Sequence, residues 1–95
     1  MAAKLVGSIT AISESGDLIS DISHDQLADA PRDEGTTVTC DEHRTLGIYP
    51  ADHQQPEMTY VAVLGKSGFL ELCIVGESAA MFLGIRPGAK VEISW

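Results

Sequence analysis

Bases are scarce in this sequence: six Lys and Arg stand against fourteen Asp and Glu, for a formal charge of −8. Binding to a phosphate backbone depends on clustered Lys and Arg that release counterions, and this chain has no such cluster. Nucleic acid and anionic membrane surfaces are therefore excluded as expected partners. Cysteine is equally sparse. Cys40 and Cys73 lie far apart without CxxC spacing, so one disulfide is open to them and nothing requires it. A reducing cytoplasm fits at least as well. Also missing are an apolar h-region in the N-terminal MAAKLVGSIT and any run near the ~18 apolar residues that signal a membrane span. The expectation is a soluble, cytoplasmic protein. Catalytic signatures are absent too, with no GxSxG, no HExxH and no phosphate loop.

What the chain does contain is enough to fold. Apolar residues make up 44% of it, which sets it apart from disordered sequences, and 95 residues suffice for one domain with one core. Half of the acids, Glu14, Asp17, Asp21, Asp25, Asp29, Asp33 and Glu34, crowd into a short N-terminal stretch that reads as a solvated face. Lys4 to Ile12 is rich in β-branched residues and reads as a strand bent or bulged at Gly7. Turn chemistry at Ser13 to Asp17 then joins it to a second strand, Leu18 to Ile22, as a hairpin. Ser23 and Gln26 have capping-box spacing ahead of a short helix around Asp25 to Ala28, which Pro31 ends. Short strands come next at Thr36 to Cys40 and Thr45 to Ile48. The polar loop PADHQQPE leads to strands at Thr59 to Leu64 and Phe69 to Val75. In the last of these Leu70, Leu72 and Ile74 point one way, and Phe69, Glu71, Cys73 and Val75 the other. Ser78 to Leu83 reads as a short helix closed by Gly84, and Lys90 to Trp95 as the final strand, with Trp95 plugging one end. About seven short strands with one or two short helices make a mainly β domain, a small antiparallel β-barrel.

Three places invite a chemical reading. Cys40-Asp41-Glu42-His43 groups a thiol, two carboxylates and an imidazole, but strand neighbours alternate faces and four adjacent side chains cannot converge on a metal. A surface turn accounts for it better, and no metal is expected. Asp17 and Asp21 fall on one face of the second strand, where paired acids do acid/base work or hold a hard cation. A turn aspartate and a helix-approach aspartate account for the pair better. The third place is Gly76-Glu77-Ser78-Ala79-Ala80, where small residues sit at a strand-to-helix junction. A helix start leaves backbone N–H groups without partners, and small side chains leave them open to a ligand. Equally, Ser78 caps its own helix and the alanines pack against the sheet. The residues alone leave both readings open.

Three segments, in order, resemble the C-terminal domain of the SAM hydroxide adenosyltransferases, relatives of the SAM-dependent fluorinase and chlorinase. The family hairpin motif, approximately F-G-N-L-x-T-N-I, is similar to Ser15-Gly16-Asp17-Leu18-Ile19-Ser20-Asp21-Ile22. Arg44 to Tyr49 is similar to the family strand that leads to a Tyr. The later motif, approximately S-S-G-x-L-E-I-A-V-N-x-G-x-A-A-x-x-L-G, is matched by Lys66 to Val75, then Ser78-Ala79-Ala80 and Leu83-Gly84. The resemblance covers nearly the whole chain. It implies a small β-barrel that supplies the adenine end of a SAM site. On that basis Ser78, Ala79 and Ala80 would offer backbone groups to the adenine edge and Tyr49 an aromatic face. Asp17 would lie near the nucleoside, with Asp21, Ser67 and Phe69 as further candidates.

The departures from the family pattern shape the functional expectation. Ser15 stands at the family's Phe, Asp17 and Asp21 at its two Asn positions, Lys66 at the first Ser and Val75 at the Asn before the adenine loop. An aspartate is an acceptor only, where an amide is both donor and acceptor. The family's N-terminal domain, which holds the water-activating groups, has no counterpart in these residues, so no catalytic residue is assigned. The resemblance implies a module that binds adenosine or S-adenosyl-L-methionine without turning it over. The alternatives are an interaction domain that self-associates as a homo-oligomer or docks a partner, and a half that complements a separate catalytic-domain partner.

Overall fold

Most strands fall close to where the sequence predicts them, although the one expected at Thr45 to Ile48 spans His43–Leu46. Burial alternates along Leu18–Ser23, Thr37–Cys40, Phe69–Ile74 and Lys90–Ser94. The computed structural model describes residues 3–50 and 52–95. Eight strands form one sheet: β1 (Lys4–Ile12), β2 (Leu18–Ser23), β3 (Thr37–Cys40), β4 (His43–Leu46), β5 (Tyr49–Pro50), β6 (Tyr60–Leu64), β7 (Phe69–Ile74) and β8 (Lys90–Ser94). Their spatial order is β4-β3-β8-β1-β2-β7-β6-β5. Every pairing is antiparallel except β5 with β6. The fold is mainly β, an eight-stranded sheet curled into a half-barrel, where the sequence predicts about seven strands. The added strand is β5, two residues whose Pro50 ends any run long enough to register as periodic.

One face of the sheet is the core. Leu18, Ile22, Leu70, Leu72, Val91 and Ile93 are fully buried there, each contributing ~1.5–3 kcal/mol of transfer free energy. Leu70, Leu72 and Ile74 do face inward and Phe69, Glu71 and Cys73 outward. Trp95 packs against this core, half-buried. β4 comes round to meet β6 through side chains: the Thr45 hydroxyl donates to the Tyr60 carbonyl (3.0 Å), and the Tyr60 hydroxyl to the His43 carbonyl (3.3 Å). Burial pushes the Tyr60 hydroxyl well above its ordinary pKa, with the Cys40 and Cys73 thiols adding to the effect, so it stays a donor.

Both helical segments are short. Ser23 and Gln26 form the reciprocal capping box, the Ser23 N–H donating to Gln26 Oε1 (2.9 Å) and the Gln26 N–H to Ser23 Oγ (3.3 Å). The box opens a 3₁₀ turn, Asp25–Leu27, that buries Leu27. Helix α1 (Ala79–Leu83) starts at Ser78, whose Oγ accepts the Met81 N–H, and ends at Gly84 in the left-handed region. Neither is long and apolar enough to cross a membrane.

The irregularities gather at β2. The bulge in β1 falls at Thr10 and not at Gly7: Ile9 faces Ser20 while Ala11 faces Ile19. Gly7 is small for another reason, since a Cβ there would lie 2.4 Å from Asp21 Oδ1 and 2.7 Å from Ile22. On its other side β2 carries two extra residues against β7, between Ile19 and Ser23. The Ser20 hydroxyl fills that break, donating to the Leu70 carbonyl (2.7 Å) and accepting the Ile22 N–H (3.2 Å).

Candidate functional site

Backbone geometry brings the β1–β2 turn onto the junction that precedes α1. Ser13 to Asp17 closes as a turn, with the Gly16 N–H on the Ser13 carbonyl (2.9 Å) and the Asp17 N–H on Ser13 Oγ (3.1 Å). Gly16 has φ +88°, and a Cβ on it would fall 2.0 Å from Ser78 Oγ. Glycine is required on both counts. The Gly16 carbonyl accepts the Ala80 N–H at 2.9 Å. This contact accounts for the small residues at Ser78 to Ala80, where the chain's own hairpin turn comes close to the backbone, while Gly76 holds a left-handed φ of +81°.

Beside the contact lies a groove of about 490 Å³. Ser15 and Asp17 enter it from the hairpin turn, Cys73 and Val75 from β7 and its end, Ser78 from the junction, and His53 from the loop after β5. A smaller groove of about 290 Å³ shares Asp17, His53 and Cys73 with the first and reaches Glu71, Val63 and Lys66. The two form one trough along the outward face of β7. His53 Nδ1 accepts the Gln55 N–H (3.2 Å), which leaves Nε2 to carry the proton in the neutral ring. Glu71 Oε2 accepts from the Ser67 hydroxyl (2.7 Å) and lies over Gly65, where a Cβ would stand 1.8 Å from it.

The electrostatics are those of crowded acids. Burial, then the Glu71 carboxylate, raises Asp17 above the usual carboxylate range. Burial with Asp17 and Glu71 pushes the Cys73 thiol up to about 12, so it is a neutral wall of the trough and no nucleophile. Among the described residues no donor reaches the Asp17 carboxyl oxygens, and no three His, Cys, Asp or Glu side chains gather as metal ligands.

The sequence-predicted residues are distributed unevenly around this trough. Asp17 and Ser78 line it together. Ala79 is buried and Ala80 half-buried behind them, and the Ala80 N–H is already bonded to Gly16. Tyr49 lines a different groove, about 530 Å³, with Arg32, Leu46 and Gly47. Its ring stands 6.2 Å from that of His53, tilted by 55°. Asp21 is exposed, lines none of these three grooves, and accepts the Ser8 N–H (3.0 Å). Ser67 and Phe69 are exposed at the β6–β7 turn, where Phe69 N–H donates to Ser67 Oγ (3.4 Å). The residues that sequence reasoning did not place in the site are His53, Glu71 and Cys73. The outward alternation of β7 was the available signal for the last two.

No family model matches this chain, and no curated protein does. Among solved structures, the fold is similar to an uncharacterized conserved protein from Thermotoga maritima, with a TM-score of 0.76 and 18% identity over 95% of this chain and 35% of that one. It is also similar to a conserved hypothetical protein from Thermus thermophilus, with a TM-score of 0.66 and 26% identity over 93% of this chain and 34% of that one. The chain spans about a third of the length of each. The likeness establishes the fold; neither name assigns an activity.

Proposed function

We propose that this domain binds an adenosine-type ligand, adenosine itself or S-adenosyl-L-methionine, in the trough between the β1–β2 turn and the start of α1. The observation that carries the reading is convergence. The two segments that most resemble the SAM hydroxide adenosyltransferases, Ser15 to Ile22 and Lys66 to Gly84, are far apart in sequence. Their Ser15, Asp17, Val75 and Ser78 meet around a groove of about 490 Å³, in the range of small-molecule sites. Among the described residues the Ser78 and Ala79 N–H groups have no intramolecular acceptor, while that of Ala80 does. Ala79 is fully buried and outside the groove lining, so the ligand edge would meet Ser78 and not the full run of three. The role is binding, with no catalytic residue assigned.

A titration of adenosine, then SAM, into labelled protein tests this through backbone amide shifts. Shifts gathered at Asp17, His53, Cys73 and Ser78 are expected at millimolar ligand. An unchanged spectrum from a folded sample would refute the reading. Under the second reading, an interaction domain, Met81 (86% exposed) and Phe82 (61% exposed) on α1 are the favouring observation, because two large apolar side chains stand together in solvent. Light scattering and partner capture decide it, and a monomer with no partner removes it. A domain spanning a third of its solved neighbours would also suit a half that works with a separate catalytic chain.

A further inference from the structure

Three carboxyl groups, Asp17, Glu71 and Glu77, give the trough its acidic lining. Asp17, at the start of β2, faces Glu71 and the Cys73 thiol from β7, Glu77 from the β7–α1 turn and His53 from the loop after β5. Lys66 lines the smaller groove as well. Ser15 and Ser78 add hydroxyls. Asp17 occupies the place where the two grooves join, so a ligand that fills either must meet its carboxyl. Its backbone N–H is spent on Ser13 Oγ, and among the described residues its carboxyl oxygens take no hydrogen bond.

An adenine presents a donor and an acceptor side by side, the 6-amino group and N7. A carboxylate offers acceptors only, and one of its oxygens would oppose the N7 lone pair. A carboxylic acid has one O–H donor and one carbonyl acceptor, the complement of that edge. We propose that Asp17 reads the purine edge as the neutral acid, so that adenosine binding in this trough strengthens as the pH falls. The inference rests on the nucleoside reading above and states how that site would recognise its ligand. The setting favours the neutral form: Asp17 is half-buried, Glu71 repels a second charge, and among the described residues no Lys or Arg forms an ion pair with it. Burial first and Glu71 second already shift its titration upward in the free protein. His53 acts in the opposite direction when protonated, because a cation beside Asp17 favours the carboxylate.

The test is adenosine binding by calorimetry at about pH 5 and about pH 7.5, with wild type, Asp17→Asn and His53→Gln. Amide spectra at both pH values establish folding. One linked proton permits up to about tenfold tighter binding per pH unit above the Asp17 pKa, so wild type should bind severalfold tighter at the lower pH, with a ceiling of about 300-fold over this span. Asp17→Asn, an amide with the same donor and acceptor pair, should bind equally at both and match acidic wild type. His53→Gln should keep the pH dependence. Equal wild-type affinity at the two pH values overturns the inference and leaves the nucleoside reading standing. So does a dependence that survives in Asp17→Asn and vanishes in His53→Gln. Absence of binding by wild type and Asp17→Asn at both pH values overturns both.

Discussion

The half of the sheet around β8 and the half around β2 are built from the same short strands by different rules. In the first, β1, β3 and β4 pair residue for residue, from Lys4 opposite Ser94 to Cys40 opposite His43, without a register shift. In the second, β2 is out of step with both neighbours, and the breaks are held by single groups: the Ser20 hydroxyl on one side, the Asp21 carboxylate on the Ser8 N–H on the other. Regular pairing covers the core and exposes ordinary charge, such as Glu92 between Lys4 and Lys90. Irregular pairing re-aims the chain, and the trough opens there. Displaced register together with the missing side chain of Gly16 lets a hairpin turn reach a helix start.

The contrast is broken most severely at Gly16. Gly16→Ala combines a left-handed φ with a Cβ inside Ser78 and should cost about 2–4 kcal/mol. Gly88→Ala, at φ +98° with nothing within 4 Å, should cost only about 1–2 kcal/mol. Urea midpoints for the two variants separate the close approach from the backbone conformation, and equal costs would mean that the turn can lift off the junction. Next comes Ser20→Ala, which strands the Ile22 N–H and the Leu70 carbonyl in a buried break; a loss of about 1–3 kcal/mol is expected. Asp17→Asn should act in the opposite direction. Its carboxyl titrates higher in the folded chain than in the unfolded one, so ionisation weakens the fold as the pH rises through that interval. The Asn variant should melt higher than wild type at neutral pH and lose that advantage below the unfolded carboxyl's range, as thermal scans across pH would register. The smallest effect belongs to Glu92→Gln in the regular half. Lys90 and then Lys4 lower the Glu92 pKa by hydrogen bonding, yet both lysines reach it in solvent, where such pairs are screened. Its midpoint should match wild type at high salt.

Legibility divided along the same line. Period-two burial made β7 and β8 readable to within a residue, because their inward side chains are Val, Leu and Ile, and β1 was readable from its β-branched residues. The Ser23–Gln26 box and the Ser78 cap were readable because local side-chain chemistry decides them. Residues 49 and 50 were not, because a parallel pairing of two residues with β6 is fixed by tertiary contact and leaves no local pattern. Within the trough, Asp17 and Ser78 came from motif order. His53 did not: its place depends on where a proline-bounded loop folds back, and the loop's own sequence does not encode that. Tyr49 was predicted for the same pocket and lies in the neighbouring one, because β5 runs beside β6 and faces Leu46 and Arg32.

The pairing of β1 with β8 also ties residue 3 to residue 95, with the Ala3 N–H on the Trp95 carbonyl (2.6 Å) and the Trp95 N–H on the Ala3 carbonyl (3.0 Å). In connectivity the described fold is nearly a ring, opened at one point between two adjacent strands. A few linking residues would close that opening, and a cut at the exposed Ser67–Gly68 tip would make a new one without breaking a strand pair. In such a permutant the longest-range pairing of the native order becomes a local hairpin, while β6 and β7 become the distant pair. Since loop closure governs how fast such sheets assemble, the same barrel would then fold from its opposite side.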